Sequence, residues 1–308
     1  MSVNKDVLHL DAEGSLFFTK QLEYVKARII EEKLKPLDYA RFMPVSAEMP
    51  LGASTFTWRE YKGYGLARMI SDYSKDFPRV GLGATEHTVK PREIGSSYGY
   101  SLMEIRRAQY AGVDLESRLG VQARRAIEQK INDLAWNGDA TYNIQGFLKY
   151  PGSNEYTVPG ALPADKLWAN KTADEILTDL NGLLFASYNA TNGIEMADTI
   201  LLPPAQLQLI KNKRLGTDSD VTVYEFFTRN NPMVTIDQTF SLKGAGTGGL
   251  DMAVAYTNDT EHLTFELPMA METLEPKREA LQYVVPMMAT VVGVICWLPL
   301  SVTWAEGL

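Results

Sequence analysis

The chain has 308 residues, 45% of them hydrophobic and 22% charged, a composition that fits a globular protein with a sizeable core. Its formal net charge of −8 and pI of about 5.1 exclude an electrostatic grip on nucleic acid over the whole surface. A single cysteine, Cys296, excludes an intramolecular disulfide, and the opening residues lack the basic-then-apolar pattern of a secretory signal.

Residues 1–11 are polar and read as an extended arm. Residues 12–34 carry Leu16, Phe17, Leu22, Val25, Ile29 and Ile30 at helical spacing, and Lys35-Pro36 ends that helix. From Thr55 to Lys62 large and polar side chains alternate as in a strand, and a second strand is expected over Glu86–Gly95. The stretch between them, Gly63–Ala84, is too long for a hairpin turn and too apolar for a free loop. Tyr64, Leu66, Met69, Ile70, Tyr73, Phe77 and Val80 need burial. A hairpin projecting from its own core finds that burial on another copy of the chain; folding back on its own domain is the alternative.

Ser101 and Glu104 have capping-box spacing ahead of "LMEIRRAQYAG". Asp114 can cap a helix reaching about Trp136, a spine of about 35 Å. Leu115, Leu119, Ala123, Ala126, Ile127, Ile131 and Leu134 share one face of it, and Arg118, Arg124, Arg125, Glu128 and Lys130 the other. The helix stops at Asn137-Gly138-Asp139. The following run, with Tyr142, Asn143, Gln145, Gly146, Phe147 and Tyr150, reads as pocket lining or as a hinge. Core placement of Ile131, Leu134 and Trp136 favours the hinge, built on Trp136, Asn137, Gly138 and Gly146.

After a turn-rich connection over 153–171, Thr172 and Glu175 cap a helix whose buried face is Ile176, Leu177, Leu180, Leu183, Leu184 and Tyr188. A buried strand in "ADTILLPP", a helix opened by Pro204 and a short helix in "TVYEFFTRNNP" follow. Strands are expected in "MVTIDQTFSL", "DMAVAYTN", "EHLTFELPM" and the final apolar portion. Helices and antiparallel strands mix without a βαβ period, which makes the fold class α+β. The longest apolar stretch, Val284–Leu298, is interrupted by Pro286 and Gly293 and falls short of the roughly 20 residues of a membrane span. It reads as paired buried strands.

His9, His87 and His262 with one cysteine offer no zinc set, and no G-x-S-x-G elbow is present. Gly244, Gly246, Gly248 and Gly249 lead into a strand, so they form neither a Walker loop nor a dinucleotide fingerprint. "NDTEH" at 258–262 lacks calcium-loop spacing. No catalytic, metal-binding or cofactor-binding residue is assigned, and Cys296 reads as a small buried hydrophobe.

Arm helix, projecting hairpin and a spine closing in "NDLAWNGD" and "GFLKYPG" come first in chain order. "DTILLPPAQLQLI" and a return through "LQYVVPMMATVVGVICWLPLSVTWAEG" complete it. This order resembles the major capsid proteins of tailed bacteriophages, the Hong Kong 97-like shell fold that encapsulin nanocompartments share. The resemblance covers residues 12–307 and rests on architecture and spacing. It implies an N-terminal arm and helix (1–40), an extended β-hairpin loop (41–94), a peripheral domain (95–152 and 268–308) with the spine helix at about 114–136, and an axial domain (153–267).

The resemblance further implies hexamers and pentamers closing into an icosahedral head around double-stranded DNA, in a virion assembled in the host bacterial cytoplasm. Other copies of the chain would be the main partners, with a portal protein, scaffolding or decoration proteins, DNA held by weak non-specific proximity, and no membrane. On the hairpin, Tyr64, Arg68, Tyr73, Lys75, Asp76, Phe77, Arg79 and Glu86 are expected at inter-subunit contacts, with solvated charges as the alternative for the ionic ones. Lys62 and Lys75 do not match the pattern by which some relatives cross-link, so no cross-link is expected. An encapsulin-like compartment shell and an α+β enzyme using the Tyr142–Tyr150 region are the rival readings.

Overall fold

A computed structural model describes residues 37–69, 77–111, 115–216 and 219–308. The expectations for the arm helix at 12–34, for Ile70, Tyr73, Lys75 and Asp76, and for the Asp114 cap lie outside the described residues. From Leu37 onward, α1 (Tyr39–Phe42) and β1 (Val45–Ser46) lead to two long strands, β2 (Phe56–Tyr64) and β3 (Gly81–Val89). These pair antiparallel from Phe56 opposite Val89 to Tyr64 opposite Gly81. β4 (Arg92–Ser101) follows at once. The single strand expected over Glu86–Gly95 is therefore two: Pro91 has no N–H for a continuous ladder, and the chain changes sheets at Lys90-Pro91.

α2 (Leu102–Tyr110) opens on the expected capping box, Glu104 N donating to Ser101 Oγ at 3.1 Å and Ser101 N to Glu104 Oε2 at 2.8 Å. The spine is α3 (Leu115–Trp136). β5 (Asn154–Tyr156) and α4 (Pro163–Lys166) break up the connection, and α5 (Ala173–Ala190) starts from the Thr172–Glu175 box. Next come β6 (Thr199–Leu202), α6 (Pro204–Asn212), α7 (Val223–Asn230) and β7 (Thr235–Gln238). The chain finishes with β8 (Met252–Tyr256), β9 (Leu263–Glu266), β10 (Met269–Thr273), β11 (Lys277–Glu279), β12 (Gln282–Val291), β13 (Gly293–Cys296) and β14 (Thr303–Glu306).

Four sheets result. The largest has the order β5-β14-β8-β6-β7; β1-β9-β13 form a second; β12 pairs with β10, β11 and β4; β2 and β3 pair only with each other. β12 runs along the whole of β4, from Gln282 opposite Ser101 to Val291 opposite Arg92. β12 and β13 are both strands but do not pair with one another, a correction to the reading of Val284–Leu298 as a mutual pair. Gly293, at φ 119°, turns the chain between them. β14 sits between β5 and β8, and β9 between β1 and β13, so strand pairing crosses the boundaries expected at 152/153 and 267/268.

β8 explains how two cores share one sheet. All five of its residues are buried, and they alternate. Met252, Val254 and Tyr256 face a cluster built on α3 with Ile127, Ile131, Leu134 and Trp136. Ala253 and Ala255 face a cluster built on α5 with Ile176, Leu180, Leu183 and Leu184. Two apolar-face expectations are corrected. Ala126 is exposed because the buried stripe of α3 runs through Ala123, Ile127 and Ile131, and Tyr188 is exposed because Ser187 takes the buried position in the last turn of α5.

The segment after Pro36 is bolted to the spine. Asn132 Oδ1 accepts from the backbone N of Asp38 and of Tyr39, both at 3.2 Å. Trp136 Nε1 donates to Asp38 Oδ1 at 3.0 Å, and the Tyr256 hydroxyl to Phe42 O at 2.7 Å. The second core holds a buried ion pair, Lys171 Nζ to Asp179 Oδ2 at 2.5 Å, with Trp168 Nε1 donating to the same oxygen at 3.0 Å. Breaking such a pair leaves one charge buried alone. Lys171→Met is expected to lower stability by about 3–5 kcal/mol in guanidinium denaturation, and adding Asp179→Leu to recover most of the loss.

Candidate functional site

Among the described residues the β2–β3 hairpin has no sheet neighbour, and two isolated strands are marginal in water. Its outer half nonetheless presents Tyr64, Leu66, Met69, Phe77, Val80 and Leu82, all exposed. Leu66 is 83% exposed and Met69 102%, so among the described residues nothing of the same chain covers them. Arg68 and Arg79 are exposed beside them. The Tyr64 ring lies across Gly81 of the opposite strand. Glu86 pairs across its own hairpin with Arg59 at 3.2 Å, and its side chain stays 55% exposed.

Aromatic contacts fix the hairpin at its base. The Trp58 ring stacks on His87 at 5.3 Å and 19°, and meets the edge of Trp297 from the body at 6.1 Å and 72°. Trp297 Nε1 is held in turn by Thr264 Oγ1 at 3.2 Å. Lys62 at 2.9 Å, joined by His87 at 3.6 Å, holds the Glu60 carboxyl below its usual range. These charges are all at least 44% exposed and contribute little to stability. The aromatic contacts set the angle of the hairpin.

Beneath the base lies a cleft of about 960 Å³, walled by the hairpin, by the 143–152 segment, by the 190–195 loop and by residues 296–301. Tyr150 and Cys296 form part of its floor; burial pushes the Tyr150 hydroxyl up to about 12 and raises the Cys296 thiol, which suits neither for proton transfer or nucleophilic attack. Among the described residues no group of three or more His, Cys, Asp or Glu is placed to hold a metal ion.

The segment after the spine forms a tight, hydrogen-bonded turn. Trp136 is buried, Asn137 N donates to Asp133 O at 2.8 Å, and Gly138 takes φ 69°. Gly146 returns against it so closely that a Cβ there would lie 2.3 Å from Gly138 N. Phe147 N and Leu148 N then donate to Ala135 O and Trp136 O, each at 2.8 Å, satisfying carbonyls at the end of the helix. Asn143 contributes a left-handed φ of 56°, and Gln145 its backbone O, which accepts from Val294 N at 2.9 Å. Lys149, at φ 52°, pairs with Glu306 Oε1 at 2.5 Å, and Thr247 N donates to Glu306 Oε2 at 3.1 Å. Burial would raise the Glu306 carboxyl, but the Lys149 and Thr247 bonds outweigh it and hold the group below its ordinary value.

No curated protein sequence matches the chain. A family model described as "Major capsid protein" matches residues 65–308. Among solved structures, the capsid of Myoviridae phage XM1 is similar over 96% of this chain and 100% of its own, with a TM-score of 0.84 at 19% identity. The capsid of a native GTA particle is similar over 96% and 97%, with a TM-score of 0.65 at 13% identity. A virus-like particle from Pyrococcus furiosus is similar over 87% and 91%, with a TM-score of 0.53 at 12% identity. The fold is thus the Hong Kong 97-like α+β shell fold expected from the sequence.

Glu306 binds its proton less readily in the folded chain, so its contribution to stability is complete above its ordinary value of 4.5 and is lost as pH falls through the lowered one. Glu306→Gln is expected to flatten the acid limb of a stability-against-pH profile measured from pH 6 down to about 3. Trp297→Ala removes the edge contact of Trp58, worth about 0.5–1.5 kcal/mol beyond area. Hydrogen exchange of β2 and β3 amides is expected to speed up by about three- to tenfold, with α3 amides unchanged.

Proposed function

The chain belongs to the major capsid protein family, and from that membership we propose that its copies join head to tail into hexamers and pentamers, which close into the icosahedral head of a tailed phage around double-stranded DNA. The role is structural. The observation that carries the reading is the hairpin: apolar at its tip and fixed at its base, it has no sheet neighbour and no cover for its tip among the described residues. A heterologous contact supplies one, since the tip of each copy then meets a different patch on the next, and the ring closes. Each such contact needs on the order of 1,000 Å² of buried surface, and repetition around a ring makes modest contacts strong together.

In this reading residues 1–40 serve as the arm, 41–94 as the extended loop, 95–152 with 268–308 as the peripheral domain and 153–267 as the axial domain. The turn at Trp136, Asn137, Gly138 and Gly146 marks the passage between the last two. The net charge of −8 suits a container that confines DNA without gripping it. A portal protein and scaffolding or decoration proteins are the further partners of such a head, assembled in the host cytoplasm. A phage head is preferred to a compartment shell because the likeness to the XM1 capsid, at 0.84, exceeds that to the virus-like particle, at 0.53.

Electron microscopy of the purified protein tests the reading. Uniform hollow particles, hexamers or pentamers are expected, and a chain that stays monomeric under all conditions would sink it. Replacing residues 66–79 by a short Gly-Ser linker is expected to abolish particles while leaving the far-UV circular dichroism of the subunit close to that of the parent.

A further inference from the structure

Trp297 borders a second pocket, of about 510 Å³, with Ser46, Glu48, Thr260, Thr264 and Glu266 around it. Glu266 ends β9, is 2% exposed, and its Oε2 is buried with no hydrogen-bond partner. The neighbouring hydroxyls are engaged elsewhere: Thr264 Oγ1 accepts from Trp297 Nε1 at 3.2 Å, Ser46 Oγ from Glu48 N at 3.5 Å, and Thr260 Oγ1 lies 3.3 Å from Asp259 Oδ1. Among the described residues, no lysine, arginine or histidine lines the pocket. Two carboxylates face it without a counter-charge. Burying an ionised carboxylate unpaired is costly, and the cost falls when a cation reaches it.

A side chain fits this pocket better than a metal ion. Two carboxylates fall short of the three-ligand groups that hold metals, and none of those exists among the described residues. A guanidinium, weakly hydrated and able to donate two parallel bonds, matches a carboxylate in a half-dry site. Arg79 is exposed at the hairpin tip, between the exposed Phe77 and Val80, and has no partner among the described residues. It cannot reach the pocket of its own chain. His87 stacks on Trp58 beside Trp297; Gly81, where β3 begins, is six residues before it, about 20 Å away at about 3.3 Å per residue, and Arg79 lies before that strand.

We propose that Glu266 and Glu48 form an acidic socket for Arg79 of a second copy's hairpin. The assignment rests on the shell reading and names the contact that the hairpin tip makes in it. Specificity follows from the socket being floored by a buried carboxylate: an apolar tip alone would tolerate several registers, whereas a buried charge pair fixes one.

Glu266→Gln keeps the shape and removes the charge. Since Glu266 Oε2 has no partner among the described residues, the variant subunit is expected to resist guanidinium at least as well as the parent, while its particles require at least about tenfold more subunit to form. Arg79→Gln is expected to do the same to assembly, and the double variant to be no worse than either. Glu48→Cys combined with Arg79→Cys is expected to give a ladder of chain multiples on non-reducing gels of oxidised particles; Cys296, 4% exposed, does not compete. A destabilised Glu266→Gln subunit, assembly of either variant at the parental concentration, or assembled double-cysteine particles without a ladder overturns the socket and leaves the shell reading standing. So does EDTA, if it weakens parental particles as Glu266→Gln does and spares the variant, because the occupant is then a divalent cation. A parent chain that never forms particles overturns the shell reading itself.

Discussion

The close approach of Gly138 and Gly146 is the constraint on which the rest of the molecule depends. The spine helix ends with carbonyls that need donors, and Phe147 N and Leu148 N supply them only if two backbones meet without side chains between them. That contact delivers Phe147 into the core, where its ring lies edge-on to Tyr256 at 5.0 Å and to Trp304 at 5.1 Å. Tyr256 belongs to β8 and Trp304 to β14, the two strands at the middle of the large sheet. One glycine pair therefore couples the spine to the sheet that both cores share.

Much of this was legible in the sequence because it is local. The capping boxes at Ser101 and Thr172 are three-residue patterns, the spine is a periodic stripe, and the stop at Gly138 follows from its neighbours. Pairing partners were not legible, because they depend on contacts far apart in the chain: nothing near Thr303–Glu306 says that it lies between β5 and β8. Pro91 did carry a signal for the break between β3 and β4, masked by the alternation on either side of it.

The candidate site divides the same way. An exposed apolar hairpin tip could be read from Leu66, Met69, Phe77 and Val80, whose burial the strand pattern does not provide. The pairing of Glu86 with Arg59 could not, since it depends on the cross-strand register. Glu266 was hidden too. It stands in "LTFELP" as the charged residue at the end of a strand in which Thr264 and Glu266 alternate with apolar residues, and only the packing of β1 and β13 on either side buries it.

The hairpin is a ribbon of two strands, held to the body by aromatic rings at its base and, among the described residues, flanked by no third strand. Ribbons of this kind twist more readily than wider sheets, because no third strand resists the rotation. Torsional compliance is thus concentrated in one element, while the cores behind it stay close-packed and stiff. A shell made of one sequence must let identical subunits tilt by different amounts where five meet and where six meet. Here the softness that this demands lies in nine paired residues on each strand, outside the cores.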